Sequence, residues 1–142
     1  MLIQPKKTVL SSVADFHKLS REQAARIALK TRGGIIFISS ADVLAVVAQG
    51  NYVLLRCESG SHHLRESISA MEEKLKAYGF VRIHRSVLVN RVWVDEIHPY
   101  APRKYLLRLK NGKEFTVTRT YKGNLKSLAE LWIGNDTFQG GQ

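Results

Sequence analysis

The order of hydrophobic and polar positions divides the chain into three parts. Near the start, Ser20 and Gln23 have the spacing of a helix capping box, and the alanine-rich stretch after them predicts a short helix to about Lys30. From Gly34 onward, short β-branched and aromatic runs separated by turn residues predict strands. We therefore expect an N-terminal extension with a short helix over residues 1–33, followed by a β-rich domain.

Two β-hairpins are predicted within that domain. The run 43–48 is continuously apolar, as in a strand buried on both faces, and Gly50-Asn51 separates it from a second apolar run over 52–57. Further along, Asn111-Gly112 lies between two runs of alternating hydrophobicity, which is the strongest short-range hairpin signal in the sequence.

One internal helix is predicted over residues 67–78, with Gly79 as its C-terminal stop. Glu72 and Lys76 have the favoured order for an ion pair along a helix. The apolar face of this helix comprises Ile68, Met71 and Leu75. A last amphipathic helix is predicted from Leu125, Leu128, Ala129 and Trp132.

These elements predict a mainly β fold: small packed β-sheets with one internal helix and short terminal helices. The expected β domain covers 34–128, and 129–142 holds the end of the last helix and a flexible tail. The length of 142 residues fits one domain of ordinary size, and 44% hydrophobic residues suffice to bury a core.

Charge is distributed unevenly along the chain. The net charge is +10, and residues 80–126 carry 11 basic and three acidic side chains, a net charge of +8. Such a field attracts polyanions: nucleic acid, an anionic membrane face or acidic proteins. No apolar run approaches the roughly 20 residues of a membrane helix, and the single cysteine, Cys57, fits a reducing compartment. We expect a cytoplasmic protein that does not span a membrane.

Metal-binding and catalytic motifs are missing from the sequence. His62 and His63 are adjacent on a predicted strand and point to opposite faces, so they do not converge on a metal. Ser86 is two residues from His84, but no third group marks an orienting partner. We therefore expect no cofactor, no metal site and no enzymatic activity.

Three clusters of basic and polar residues lie where predicted strands meet turns: 49–52, 80–90 and 118–122. In the middle cluster, Arg82, His84 and Arg85 are expected to reach outward between anchoring apolar residues. Arginine can bond guanine bidentately, asparagine can do so with adenine, and lysine and threonine suit phosphates. The clusters predict a basic surface for nucleic acid; a solvated basic face is the alternative.

Four segments resemble, in order and spacing, the LytTR family of bacterial DNA-binding domains. They are Ala-Gln-Gly-Asn-Tyr at 48–52, a strand and helix over 64–75, Phe-Val-Arg-Ile-His-Arg-Ser-Val-Leu-Val-Asn at 80–90, and the hairpin and loop over 111–121. The resemblance covers roughly residues 34–128. It implies a β framework whose loops enter successive major grooves of paired promoter repeats, and a second copy of the chain bound to the same double-stranded DNA.

The candidate DNA contacts follow from the clusters and the resemblance together. Arg85 and Arg119 are expected to read base edges, Asn51 to help set specificity and Lys122 to hold phosphates. The full set is Asn51, Tyr52, His84, Arg85, Ser86, Asn90, Thr118, Arg119, Tyr121 and Lys122. Thr118 stands where the family commonly has serine. The residues before 34 are too few for a receiver domain, so we expect an excised domain or a stand-alone regulator with an upstream receiver or sensor partner.

Two other functions are compatible with the residues alone. An RNA- or single-strand-binding β module would stack bases on exposed tyrosines, for which Tyr52, Tyr100, Tyr105 and Tyr121 are the candidates. A protein-interaction domain would use the basic face for acidic partners, and its terminal helices would either form a dimer interface or cover the ends of the core.

Overall fold

The computed structural model describes residues 24–134, which contain ten strands in three antiparallel sheets and one α-helix. The mainly β fold predicted from the sequence is confirmed. The strands are β1 (Arg26–Thr31), β2 (Gly34–Ser39), β3 (Val43–Gln49), β4 (Tyr52–Cys57), β5 (Gly60–Leu64), β6 (Phe80–His84), β7 (Val87–Asn90), β8 (Val94–Ala101), β9 (Lys104–Leu109) and β10 (Glu114–Val117). Short 3₁₀ segments cover Ser40–Asp42, Lys76–Tyr78, Arg91–Trp93 and Arg119–Leu128.

The central sheet has five strands in the order β5-β4-β3-β7-β6. Its β3–β4 hairpin closes where Gln49 pairs with Tyr52, as the Gly50-Asn51 turn predicts. The other predicted hairpin joins β9 to β10 through Asn111-Gly112, in a three-stranded sheet with the order β10-β9-β8. Gly112 has a φ of 91°, a conformation that residues with a side chain rarely adopt.

The helix predicted to run to Lys30 is wrong, because residues 26–31 form β1, which pairs with β2. Leu29 is buried in the core and Ile27 packs against it, so alternate residues of β1 face inward. Gly33 lies in the turn of this hairpin rather than behind a helix. The capping-box residues Ser20 and Gln23 lie outside the described residues.

The internal helix α1 covers Ile68–Leu75, within the predicted span. Ser67 caps it by accepting a hydrogen bond from Ala70 N, and its face carrying Met71 and Leu75 is buried. A φ of 89° at Gly79 ends the 3₁₀ turn that follows. The predicted ion pair between Glu72 and Lys76 does not form. Glu72 instead pairs with Arg82, and Lys76 pairs with Glu73.

The C-terminal helix predicted from the apolar pattern is a 3₁₀ segment that ends at Leu128, so Ala129 and Trp132 lie beyond it. The residue that precedes it, Thr118, makes no side-chain cap, and glycine and asparagine in the middle of the segment disfavour an α-helix. Leu125 nevertheless anchors the segment, because its side chain is fully buried.

Two hydrophobic clusters form the core. One includes Leu44 and Ile83 of the central sheet together with Leu107 and Leu125, so it joins the two larger sheets and the C-terminal segment. The other contains Leu55 of the central sheet together with residues of α1 and β1. The central sheet is therefore covered on both faces, which explains the continuous apolar run in β3.

Candidate nucleic-acid interface

Three turns meet at one end of the sheets. Antiparallel pairing of Val47 with Val87 brings the end of β3 next to the start of β7, and Ala48 N donates a hydrogen bond of 2.8 Å to Ser86 O. On the other side, Thr118 N donates a hydrogen bond of 3.1 Å to Ile83 O. The three sequence clusters are therefore neighbours. We call residues 49–52, 84–86 and 118–122 the contact surface.

The first turn presents Asn51 and Tyr52, which are both exposed. Arg65, which the sequence analysis did not select, lies beside them: its Nη1 is 3.5 Å from Tyr52 Oη, and its guanidinium carbon is 5.7 Å from the centre of the Tyr52 ring. The register that pairs Val53 with Leu64 puts the next residue, Arg65, opposite Tyr52. Antiparallel pairing of the runs on either side of the turn at 58–60 is the signal that could have identified Arg65.

The second turn presents an exposed Arg85 between half-buried His84 and Ser86. Ser86 N donates a hydrogen bond of 3.1 Å to His84 Nδ1. A neutral His84 therefore carries its proton on Nε2, and the ring has a fixed orientation. The hydrogen bond gives this short turn a defined shape at the tip of β6.

Arg82 does not reach outward as expected, because its side chain is only 8% exposed. Its Nε donates to His84 O at 2.9 Å, its Nη2 donates to Arg85 O, and its Nη1 forms an ion pair with Glu72. The guanidinium carbon also lies 5.4 Å from the centre of the Tyr121 ring. Arg82 therefore supports the second turn from behind and links it to the third.

Asn90, selected from the sequence as a DNA contact, is instead a core residue with 3% exposure. Its Nδ2 donates to Ser40 O and Val43 O, at 3.1 and 2.9 Å, and its Oδ1 accepts from Val92 N. The amide is fully used inside the protein, so Asn90 is structural and is removed from the set of candidate contacts.

The third turn carries Thr118, Arg119, Tyr121 and Lys122. Thr118 O accepts a hydrogen bond of 3.0 Å from Tyr121 N, which closes the first turn of the 3₁₀ segment. Arg119 is exposed, and Thr118, Tyr121 and Lys122 are half-buried. Because the segment begins where β10 ends, the position of Arg119 is fixed by the sheet rather than by a flexible loop.

Three cationic side chains of the contact surface are not neutralised by carboxylates of the described residues. Arg85, Arg119 and Lys122 form no ion pair with any residue in 24–134. Elsewhere, arginines such as Arg108 and Arg91 are paired with carboxylates. Unpaired guanidinium and ammonium groups at one end of the fold produce a local positive field that suits a polyanion.

Across residues 24–134, no three His, Cys, Asp or Glu side chains are grouped as metal ligands. The same residues contain no helix of the length and hydropathy needed to cross a membrane.

Comparison with known proteins agrees with this geometry. Residues 33–130 match the family model of the LytTr DNA-binding domain. The structure is similar to a solved LytTr DNA-binding domain from Bacillus cereus, with a TM-score of 0.66, 25% sequence identity, and coverage of 75% of this chain and 98% of that one.

Two curated relatives illustrate the similarity in sequence. The sensory transduction protein LytT of Bacillus subtilis is 26% identical over 88% of this chain and 52% of its own length. The positive alginate biosynthesis regulatory protein of Pseudomonas aeruginosa is 32% identical over 73% of this chain and 42% of its own length. The chain thus spans about half the length of these relatives.

The match covers well over half of the sequence, and the β-sheets and the similarity to the solved structure agree with it. The chain belongs to the LytTr DNA-binding domain family, which identifies it as a DNA-binding chain.

Proposed function

We propose that the contact surface reads double-stranded DNA sequence-specifically, with its three turns entering the major groove. The observation that carries the proposal is that the turns bearing Arg85, Arg119 and Lys122 are neighbours at one end of the β framework, and that these three cations have no ion-pair partner within 24–134. Arg85 and Arg119 read base edges, and Asn51 contributes a bidentate amide. Lys122 and Thr118 hold phosphates, which fix the register on the duplex.

The remaining candidates take supporting roles in this proposal. Tyr52, Tyr121, His84 and Ser86 border the arginines and contribute sugar and phosphate contacts. Arg65 joins the set because it lies against Tyr52 at the edge of the contact surface. The proposed DNA binding involves no catalysis and no cofactor. It takes place in the cytoplasm, where the DNA is found.

A second copy of the chain is proposed to occupy a neighbouring half-site on direct repeats. One chain presents a single contact surface, whereas two copies on one face of the DNA need half-sites about one helical turn apart. Because the relatives are about twice as long as this chain, we further propose that an additional receiver or sensor domain, or a partner protein, regulates binding.

The test begins with selection of bound duplexes from a random library. A repeated motif with a spacing of about one turn is expected, and recovery of unrelated sequences would contradict sequence-specific reading.

Arg119→Ala should then lower affinity for the selected site by about 1–3 kcal/mol and relax preference at one base position. Lys113→Ala is the matched control, since Lys113 flanks the opposite end of β10. Equal losses on selected and random DNA would reassign Arg119 to a phosphate contact.

The single-strand alternative predicts a different result. Tyr52 and Tyr121, two of its proposed stacking platforms, are already contacted by the guanidinium groups of Arg65 and Arg82. Single-stranded RNA should therefore fail to displace the selected duplex at equal concentration. Efficient displacement would favour the RNA-binding module over the proposal.

A further inference from the structure

We propose that a cavity between the two larger sheets is a binding site for a small oxyanion, a carboxylate or phosphate group, separate from the contact surface. The cavity has a volume of about 130 Å³. Leu44, Arg56 and Ser61 line it from the central sheet, and Leu109, Asn111 and Lys113 line it from the three-stranded sheet.

The first argument is an unsatisfied donor. Arg56 Nε is buried and has no hydrogen-bond partner among the described residues. A buried N–H of a charged group that lacks an acceptor is costly, and such groups in native proteins usually have a partner. An oxyanion in the cavity that Arg56 lines would supply the acceptor and the opposite charge together.

The second argument is the sign of the charge around the cavity. Arg56 and Lys113 form no ion pair with the residues of 24–134, and no acidic residue lines the cavity. The carboxylate whose charge affects the neighbouring Cys57 is Asp42, which does not line the cavity. Burial, with a smaller contribution from Asp42, raises the pKa of the Cys57 thiol to about 11, so this lining group is neutral. The only charged side chains that line the cavity, Arg56 and Lys113, are therefore both cationic.

The third argument is the match of size and donors. A cavity of about 150 Å³ is known to admit a six-carbon ring, so this one has room for about five or six non-hydrogen atoms, the size of phosphate or a short carboxylate. Asn111 Oδ1 accepts from Lys113 N at 3.0 Å, which leaves Asn111 Nδ2 as a possible donor to a ligand; the Ser61 hydroxyl belongs to the same lining. Leu44 and Leu109 limit the ligand to a compact anion.

The site is distant from the contact surface along every strand that reaches it. Arg56 lies four residues beyond Tyr52 on β4, roughly 13 Å at the rise of an extended strand. Lys113 and Thr118 flank opposite ends of β10. An oxyanion held by Arg56 and Lys113 would join the two sheets whose far ends carry the contact turns.

The experiment is thermal denaturation of the full chain in increasing sodium phosphate or sodium acetate, with sodium chloride at matched ionic strength as the reference. We expect a saturable rise in Tm with phosphate, acetate or both, of about 5 °C at ten times the Kd. Lys113→Ala and Arg56→Gln should abolish the rise, and Arg119→Ala in the contact surface should retain it.

Three results would overturn the proposal. A rise that never saturates and is equal in all variants would be a general salt effect. A rise lost in Arg119→Ala but kept in Lys113→Ala would place the anion on the contact surface. No rise with either anion in the wild type would exclude the site. If Arg56→Gln fails to fold, Lys113→Ala decides the question, since Lys113 lies in an exposed turn.

Discussion

Arg82 Nη1 lies 2.7 Å from Glu72 Oε1, so the turn after β6 is held by the helix packed behind it. The same guanidinium donates to His84 O and Arg85 O, the two carbonyls of that turn. A carboxylate on α1 therefore fixes a buried arginine, and the arginine fixes the backbone that presents Arg85. We infer that the shape of the contact surface depends on a residue that does not contact DNA.

Arg82→Gln should lower the free energy of unfolding by about 2–4 kcal/mol, because it leaves Glu72 and two part-buried carbonyls, His84 O and Arg85 O, without the buried guanidinium. It should also weaken binding to selected duplex DNA, since the Arg85 turn loses its support. Urea unfolding and a binding titration measure the two effects.

Lys74→Gln is the control on the same helix. Lys74 pairs with Glu66 at 2.9 Å, but its side chain is 64% exposed, so its loss should change stability by less than about 0.5 kcal/mol. Equal effects of the two substitutions, or full DNA affinity in Arg82→Gln, would contradict the role assigned to Arg82.

Two asparagines should respond in opposite ways. Asn90→Ala removes buried donors to Ser40 O and Val43 O, and should lower the free energy of unfolding by about 2–3 kcal/mol. Asn51 lies on an exposed turn, so Asn51→Ala should change the free energy of unfolding by less than about 0.5 kcal/mol. It should nevertheless reduce affinity for the selected site. A stability loss at Asn51 without a loss of affinity would remove it from the contact surface.

The strands were predictable where local signals and burial agree. In β3 and β4 a continuous apolar run matches a sheet covered on both faces, and Asn111-Gly112 specifies its own hairpin. At β1 the sequence predicts a helix because its alanines favour one locally, whereas pairing with β2 and burial of Leu29 decide the structure. Those interactions depend on residues distant in sequence.

Within the candidate site, the positions at turns were easier to predict than those within strands. Asn51 lies in the turn between β3 and β4, and Arg119 follows β10. Both are exposed, as expected. Arg82 and Asn90 lie in strands, where a polar residue suggests a solvent-facing position. Only the packing of α1 and the 3₁₀ turn at Ser40–Asp42 shows that both are structural.

Gly79→Ala should lower the free energy of unfolding by about 1 kcal/mol, because Gly79 has a φ of 89°, which an L-residue adopts at a cost. The added Cβ would be 3.5 Å from Arg91 Cγ, an ordinary contact, so the cost comes from the backbone. Gly123→Ala is the control, since a Cβ there meets nothing within 4 Å and φ is not positive. Thermal denaturation should show loss at Gly79 only.

The thiol of Cys57 makes stability depend on pH at the alkaline end. Burial raises its pKa from 9.0 to about 11 in the folded state. The unfolded thiol ionises first, so the contribution of Cys57 to stability is complete below pH 9 and is lost as pH rises towards 11. Between pH 8 and pH 11, the wild type should lose more stability in urea than Cys57→Ser. Parallel losses in both proteins would contradict the raised pKa.

DNA affinity should fall steeply with salt, because each phosphate contact releases condensed counterions. The slope of log K against log salt is about −0.9 for each phosphate neutralised. Lys122→Ala should therefore make the slope shallower by about 0.9 and weaken binding equally on selected and random duplexes. Arg119→Ala should instead lose affinity mainly on the selected site, because a base contact carries discrimination. Lys113→Ala, at the opposite end of β10, should leave the slope unchanged. If Lys113→Ala changes the slope as much as Lys122→Ala, the phosphates do not lie along the three turns.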